Sequence, residues 1–180
     1  MESKSVQSGG GAANLAGPIL IGLGANLPSP VHGSPRRTLE AALQALVRRG
    51  LEICARSRWW ESAPVPVSDQ PWYVNGVAEV AGASGPEALL ALLHEVEGEF
   101  GRLRSAPNAP RILDLDLLAY GDLLRPGPTP PILPHPRLAE RAFVLRPLAD
   151  LAPAWRHPVN GIPIEALVAA LPAGQIMERL

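Results

Sequence analysis

The sequence predicts a single domain of the α/β (α+β) class, with an antiparallel-rich sheet and helices packed on it. Two segments repeat leucine at helical spacing, and four others combine aliphatic, β-branched and aromatic residues in short runs typical of strands. Each helical segment begins at a proline and ends at a glycine, as helices commonly do. A chain of 180 residues with 47% hydrophobic residues is sufficient for one substantial core.

The first half of the chain is predicted to form a strand, a helix and a second strand. Residues 1–17 are rich in Gly and Ser and are expected to be a disordered extension, so that the domain covers 18–180. An apolar strand at 19–23 runs into a Gly-Ala-Asn turn. A Ser-Pro pair then starts a helix that ends at Gly50, and a strand follows at 51–60.

The second half of the core continues with a strand, a helix and a strand. Residues 72–80 form the strand, Pro86 begins the helix that Gly101 ends, and the aliphatic run at 110–118 is the last core strand. A short helix near 164–171 follows. The order strand-helix-strand-strand-helix-strand is that of a ferredoxin-like core. Right-handed crossovers place its first and last strands side by side, and we expect the last strand at the centre of the sheet.

Two aspartates interrupt the apolar pattern of this last strand. Because side chains alternate along a strand, Asp114 and Asp116 share one face, and Leu113, Leu115 and Leu117 line the other. The two aspartate Cα atoms would lie roughly 6.5 Å apart, so both carboxylates can bind the same divalent cation or pair of cations. The alternative is an edge strand with a solvated acidic face, since polar residues commonly point outward from a sheet.

The basic residues restrict the chemistry that is possible. Lys4 is the only lysine and lies in the extension, which excludes a P-loop, a protein kinase and a Schiff-base enzyme, since each needs a lysine in its site. Arg102, Arg104 and Arg111 precede the aspartates, and arginine binds phosphates well. The nearby arginines favour a metal-phosphate site over a solvated acidic face.

Charge and hydrophobicity exclude several other classes of protein. A net charge of −1 provides no basic surface for nucleic acid, and no apolar run is long enough to span a membrane. The N-terminus lacks the pattern of a signal peptide, and the lone Cys54 cannot form an intramolecular disulfide. We therefore expect a cytoplasmic protein that binds neither nucleic acid nor membranes, and we take it to be a monomer.

Five short segments together form a specific pattern. They are Gly-Ala-Asn-Leu at 24–27, Asp-Gln-Pro-Trp-Tyr-Val-Asn at 69–75, Gly-Arg-Leu-Arg at 101–104, Pro-Arg-Ile-Leu-Asp-Leu-Asp at 110–116 and Pro-His-Pro-Arg at 134–137. In this order they resemble the 6-hydroxymethyl-7,8-dihydropterin pyrophosphokinases of folate biosynthesis, and the resemblance spans about residues 19–160. The aspartate element followed by Pro-His-Pro is its most specific part.

The resemblance implies a reaction and its ligands. ATP would give its β,γ-pyrophosphoryl group to the hydroxymethyl oxygen of the pterin and leave as AMP, with two Mg²⁺ ions held by Asp114 and Asp116. Such a transfer depends mainly on positioning and on neutralising charge. The catalytic residues implied are therefore the two aspartates together with Arg102 and Arg111.

Further positions match the ligand-binding residues of the family. Those implied for ATP are Glu97, Arg104, His135 and Arg141, and those implied for the pterin are Val65, Tyr73, Asn75 and Phe143. Tyr73 and Phe143 match the two rings between which the family stacks the pterin, and Asn75 offers an amide donor and acceptor to its edge. The tryptophan that the family often carries before the Pro-Arg pair has no counterpart in residues 105–109.

Two other interpretations remain open. A ferredoxin-like module could bind a small ligand without catalysis, although this gives no reason for two aspartates in an aliphatic strand. An RNA-binding sheet would need exposed aromatic residues and a basic rim, whereas the aspartate strand is acidic. Formation of AMP from ATP, Mg²⁺ and the pterin alcohol would separate the enzyme from both alternatives.

Overall fold

The structure, a computed structural model, describes residues 16–102 and 109–180, so the predicted extension falls almost wholly outside it. Its elements, in chain order, are β1 (Ile19–Ala25), α1 (Pro35–Arg48), β2 (Glu52–Arg56), β3 (Trp60–Ser62), β4 (Tyr73–Ala81), α2 (Pro86–Glu99), β5 (Asp114–Tyr120), a 3-10 turn (Leu138–Glu140), α3 (Ala142–Leu151), α4 (Ile164–Ala169) and β6 (Met177–Arg179). No helix within these two ranges is long and apolar enough to cross a membrane.

The strands of the described residues form one sheet in the spatial order β5-β1-β4-β3-β6, and β2 also pairs with β4. All of these pairings are antiparallel. Along the chain, β1 and α1, the β2–β3 region, β4, α2 and β5 follow the predicted strand-helix-strand-strand-helix-strand order. The predicted fold class, an antiparallel-rich sheet with helices, is confirmed.

The strand predicted at 51–60 is two strands, β2 and β3, with a break at residues 57–59. The Ser57 N–H donates to the Val77 carbonyl (2.9 Å), and the Ser57 Oγ accepts from the Val77 N–H (3.0 Å). A side-chain hydroxyl thus replaces a backbone carbonyl in the pairing, which ends β2. The Trp59 ring then packs beneath Gly76, where an added Cβ would lie only 2.6 Å from the ring.

The aspartate-bearing strand lies at the edge of the sheet, so the prediction of a central position was wrong. Among the described strands β5 pairs only with β1, and β1 pairs with β4 on its other side. The outer edge of β5 is covered by other groups. Glu97 Oε1 accepts from the Leu115 N–H (2.7 Å), and the Leu118 carbonyl accepts from the His135 N–H (2.8 Å).

Helices α1 and α2 cover one face of the sheet. As predicted, Ser34 caps α1 with its Oγ accepting from the Arg37 N–H, Pro35 follows, and Gly101 comes after α2 with a φ of +81°. The apolar faces of the helices and sheet form the larger core, which includes Ile21, Leu23, Leu39, Leu46, Val74, Leu93, Val96, Leu115 and Leu117.

Helices α3 and α4 cover only part of the opposite face, where Leu20, Val77 and Leu118 of the sheet pack with Leu145, Leu148, Trp155 and Leu167. The sequence predicted α4, whereas α3 was not predicted because Pro147, which removes a helix hydrogen bond, lies inside it. The remainder of this face, over the adjoining ends of β1, β4 and β5, borders a cavity.

Candidate active site

A cavity of about 280 Å³ opens on the sheet face that α3 and α4 leave uncovered. Gly22 and Gly24 of β1 form part of its lining, and they pair with Asp116 and Asp114 of β5 respectively. Gly24 also pairs with Asn75 of β4. An added Cβ at Gly24 would lie 3.4 Å from Asn75 Oδ1, so the absence of side chains keeps the floor of the cavity open.

The register confirms that the two aspartates share one face of the sheet, since both lie opposite glycines that line the same cavity. Asp114 contacts two arginines: its Oδ2 lies 3.0 Å from Arg111 Nη1, and its Oδ1 lies 2.6 Å from Arg102 Nη1. The second contact does not have the geometry of a hydrogen bond, and among the described residues the buried Oδ1 accepts none. This atom has the character of a ligand-binding oxygen.

The carboxyl of Asp116 has a raised pKa. Burial raises the pKa of its carboxyl, and the nearby charge of Asp114 raises it further. Arg141 Nη1, 3.4 Å from Asp116 Oδ2, partly opposes this effect. The two carboxylates therefore repel each other in the absence of added positive charge, which a bound cation would relieve.

Glu97 lies behind this cluster rather than on the cavity surface. Its side chain is nearly inaccessible at 3% exposure, forms an ion pair with Arg102 and accepts the hydrogen bond from the Leu115 N–H. Burial raises the pKa of Glu97 to about 7, although the Leu115 N–H and Arg102 act in the opposite direction. Glu97 thus connects α2 to β5 and holds Arg102 beside Asp114.

On the other side of the cavity, Arg141 lies at the start of α3 with its guanidinium 5.4 Å from the centre of the Phe143 ring. His135 is close enough to Asp116 for the two charges to interact. Burial lowers the pKa of the His135 imidazole, and the Asp116 carboxylate opposes that shift. His135 Nδ1 accepts from the Arg137 N–H (3.1 Å), so a neutral imidazole carries its proton on Nε2.

Tyr73 and Asn75 of β4 line the cavity together with Val65 and Phe143. Asn75 is buried, and its Nδ2 donates to Ser62 Oγ (2.9 Å) and to the Tyr73 carbonyl (3.3 Å). We expected Asn75 to offer both an amide donor and an acceptor to a ligand, but both N–H groups of its amide already donate within the protein. The protein uses the donor, which leaves Oδ1 as the atom available to a ligand.

Asn26, in the turn after β1, is a structural residue of the site that sequence reasoning missed. Its Oδ1 accepts from the Arg111 N–H (2.8 Å), and its Nδ2 donates to Gln70 Oε1 (3.3 Å) and the Pro71 carbonyl (3.2 Å). Gln70 Oε1 in turn accepts from the Tyr73 hydroxyl (3.2 Å). One amide therefore joins the arginine side of the cavity to the tyrosine side.

Most of the predicted site residues lie around this one cavity. Those that line it are Val65, Tyr73, Asn75, Arg102, Arg111, Asp114, Asp116, Arg141 and Phe143. Glu97 lies behind the lining, and His135 is not part of the lining but is near Asp116. Arg104 lies outside the described residues. Gly22, Gly24, Ser62, Gln70 and Gln175 also line the cavity and were not predicted as site residues. Glycines alternating along β1, opposite alternating aspartates, were the signal available for the first two.

The donor set fits a hard cation that is held partly by its substrate. Within residues 16–102 and 109–180 no group of three or more His, Cys, Asp or Glu side chains could hold a metal ion alone. Mg²⁺ is commonly bound by one or two carboxylates together with phosphate oxygens and water, which matches an aspartate pair with an unsatisfied buried oxygen. With its arginines, the cavity has the composition of a polyphosphate-binding site of a transferase.

Comparison with known proteins identifies the family. Residues 20–153 match the model of the 7,8-dihydro-6-hydroxymethylpterin-pyrophosphokinase (HPPK) family, and the chain belongs to this family. The family to which the motifs pointed is therefore confirmed.

Curated relatives agree with this assignment. A 2-amino-4-hydroxy-6-hydroxymethyldihydropteridine pyrophosphokinase of Pseudomonas aeruginosa is 41% identical over 155 residues, covering 86% of this chain and 91% of that protein. A protein of the same name from Synechocystis is 37% identical, with 83% and 73% covered. The folic acid synthesis protein fol1 of Pneumocystis carinii is 36% identical over 81% of this chain, but the match spans 19% of that longer protein.

Solved structures show the same fold. The HPPK-DHPS protein of Plasmodium falciparum, as a triple mutant with SDX-DHP, superposes with a TM-score of 0.64 at 15% identity, covering 88% of this chain and 45% of that one. The wild-type protein with pteroate gives the same TM-score at 13% identity, with 84% and 41% covered. At sequence identities this low, the similarity shows a shared fold and nothing more.

Proposed function

We propose that the cavity is the active site of a pyrophosphokinase of folate biosynthesis that binds ATP and 6-hydroxymethyl-7,8-dihydropterin. The β,γ-pyrophosphoryl group of ATP moves to the hydroxymethyl oxygen of the pterin, and AMP leaves. The observation that carries the proposal is the same-face pair Asp114 and Asp116, flanked by three arginines, in a cavity that Tyr73 and Phe143 also line. The protein would act as a cytoplasmic monomer on these small molecules, without nucleic acid or membrane.

The aspartate pair would hold two Mg²⁺ ions together with the triphosphate. Once bound, Mg²⁺ neutralises charge on the phosphate oxygens and fixes the phosphate chain for in-line transfer. Two observations support this role. The pKa of Asp116 is raised, which added positive charge would oppose, and Asp114 Oδ1 is ion-paired with Arg102 but accepts no hydrogen bond among the described residues.

The arginines would exchange partners when the substrate binds. Arg102 and Arg111 pair with Asp114, and Arg141 pairs with Asp116. With a cation on the carboxylates, the guanidinium groups would be available to the phosphate oxygens, to which arginine can donate two parallel hydrogen bonds. Glu97 keeps Arg102 near this position throughout, since its ion pair lies behind the cavity.

The pterin would occupy the part of the cavity between Tyr73 and Phe143. Ring stacking orients a flat heterocycle, and the Asn75 Oδ1 can accept a hydrogen bond from an N–H group on its edge. Ser62 fixes the orientation of the Asn75 amide by accepting from its Nδ2, so the acceptor is positioned before the ligand arrives. Val65 adds an apolar contact at the mouth of the cavity.

A product assay tests the proposed function directly. We expect the purified protein, incubated with ATP, Mg²⁺ and the pterin alcohol, to yield AMP and the pterin pyrophosphate in equal amounts. ADP in place of AMP would indicate transfer of a single phosphoryl group and contradict the proposal. Ligand binding without any product would instead support the non-catalytic module, which the comparisons do not favour.

A further inference from the structure

Residues 172–180 form a segment beyond the part of the chain that matches the family model, yet one of its side chains lines the cavity. The side-chain amide of Gln175 forms two hydrogen bonds with the backbone, one just before α3 and one at its first residue. Its Oε1 accepts from the Ala142 N–H (2.8 Å), and its Nε2 donates to the Glu140 carbonyl (2.9 Å). These two bonds bracket Arg141.

The helix depends on this distant amide for its cap. Arg141 is the N-cap residue of α3, and its guanidinium cannot cap the helix because it has no hydrogen-bond acceptor. The free N–H groups at a helix start need acceptors, and Gln175 supplies one from 33 residues away. The Gln175 amide thus fixes the backbone on both sides of the residue that contacts Asp116.

The same segment also contacts a second part of the cavity lining, residues 63–66. The Ile176 carbonyl accepts from the Ala63 N–H (3.1 Å), and β6 then pairs with β3. Ala63 begins the wall formed by residues 63–66, which includes Val65. Arg179 fixes the segment further, because it pairs with Asp150 of α3 (3.1 Å) and lies over the Trp60 ring.

We propose that Gln175 is a positioning residue for the transfer reaction, setting Arg141 and Phe143 against the 63–66 wall so that the cavity is built for both substrates at once. This inference rests on the proposed function, in which Arg141 meets the triphosphate and Phe143 the pterin. Gln175 acts through these residues and through the spacing between the two walls, and no direct contact with a reacting atom is assigned to it.

Three variants separate positioning from general stability. Gln175→Leu removes both side-chain hydrogen bonds at similar side-chain volume. Gln175→Glu keeps an acceptor for the Ala142 N–H, loses the donor to the Glu140 carbonyl and adds a negative charge. Glu178→Gln, on the exposed part of the same segment, is the matched control. Each is assayed for kcat and KM with both substrates, for melting temperature, and for hydrogen exchange of the amides at 141–145.

We expect Gln175→Leu to raise the KM of both substrates about fivefold or more, since losing one or two hydrogen bonds affects equilibria on that scale. Gln175→Glu should recover part of the loss, and Glu178→Gln should match the wild type. Faster exchange at Ala142 in the leucine variant should accompany these changes. A variant that melts earlier but keeps wild-type KM values at a temperature where it is folded would overturn the proposal.

The outcome is distinguishable from failure of the proposed function. A wild-type protein that forms no AMP would contradict the function itself, and the role of the amide would then be decided by exchange at 141–145 alone. Unchanged exchange in Gln175→Leu would show that the two hydrogen bonds do not hold this turn, whatever the reaction.

Discussion

At the scale of single residues, the site depends on side chains whose chemistry is unusual for their position, above all Asp114 and Asp116. Two aspartates in an aliphatic strand require positively charged partners, and the register shows that both lie on the sheet face that borders the cavity. Asn26 and Gln175 could not be predicted in the same way. Their hydrogen bonds reach 85 and 33 residues along the chain, so their roles exist only once the fold has brought those segments together.

The aspartates give the first prediction. Asp114→Asn and Asp116→Asn should each lower kcat at least about a hundredfold, because each removes a carboxylate that is proposed to bind Mg²⁺. AMP formation under saturating substrates measures the effect, and circular dichroism checks that the fold remains. Asp122→Asn, an exposed change in the turn after β5, should leave turnover unaltered. Near-wild-type activity in either site variant would remove the basis of the metal assignment.

Glu97 gives a prediction about pH and stability. Its pKa is raised from 4.5 to about 7, so the folded state holds the proton more tightly and stability falls as pH rises from about 4.5 to 7. The loss should be of the order of 2–3 kcal/mol in the free energy of unfolding. Glu97→Gln cannot ionise, so its stability relative to the wild type should increase over this range.

Urea unfolding at pH 5, 6 and 8, without metal or nucleotide, measures the two slopes. The change of the unfolding free energy with pH is compared, and not its value at one pH, because the variant also loses the ion pair with Arg102, which shifts its stability at every pH. Asp116 titrates in both proteins and cancels in the difference. Parallel stability curves for wild type and variant would show that Glu97 is not the group responsible.

At the scale of elements, the sequence was most successful where local signals are strong. Ser34 and Pro35 start α1, and Gly101 follows the end of α2, as predicted. It failed where tertiary contacts override local preference. Pro147 is accommodated inside α3, and the Ser57 hydroxyl ends β2 early by pairing with β4. Neither outcome can be read from propensity, because each depends on packing against a distant element.

The floor of the cavity gives a prediction for strand β1. Gly24→Ala should weaken ligand binding about tenfold or more, because one added methyl group occupies space that a bound ligand would need. The unliganded protein should tolerate the change, since the new Cβ would be 3.4 Å from Asn75 Oδ1 and 3.8 Å from Asp114 Cβ. Calorimetric titration with an ATP analogue and with the pterin measures the effect.

A glycine elsewhere serves as the control for this substitution. Gly98 of α2 has nothing within 4 Å of an added Cβ, so Gly98→Ala should leave binding unchanged and stabilise the helix by about 0.5–1 kcal/mol. Equal binding by the Gly24 and Gly98 variants would mean that ligands do not approach the floor formed by β1.

At the scale of the whole molecule, the order of strands and helices was predictable, but the position of the aspartate strand was not. The sequence shows which segments alternate, and right-handed connections then place the first and last core strands together. Which of the two lies at the edge depends on where β4 pairs, and β4 pairs with β1. The mistake does not affect the site, because the face that the aspartates share is the same in either position.

The arrangement of charge across the molecule predicts how metal and nucleotide bind. Without ligands the two carboxylates are paired with arginines, so Mg²⁺ alone would have to displace those contacts, and only Arg102 would keep another anionic partner, Glu97. Mg²⁺ and a non-hydrolysable ATP analogue added together should raise the melting temperature by about 5 °C or more, and by more than the sum of their separate effects.

Thermal unfolding with each ligand alone and with both provides the measurement. Asp116→Asn should lose the excess stabilisation while retaining the small effect of nucleotide alone. If Mg²⁺ by itself gave the full increase, the metal site would be independent of the triphosphate, contrary to the charge exchange inferred for the arginines.

The covered edge of β5 has a consequence for the behaviour of the protein at high concentration. Edge strands can recruit strands of other molecules and so begin aggregation. Here the Leu115 N–H is engaged by Glu97 and the Leu118 carbonyl by His135. At the far end of the described sheet, β6 is only three residues long and carries Glu178 and Arg179. The contacts that hold the aspartate strand in place therefore also protect this edge of the sheet from pairing with other molecules in solution.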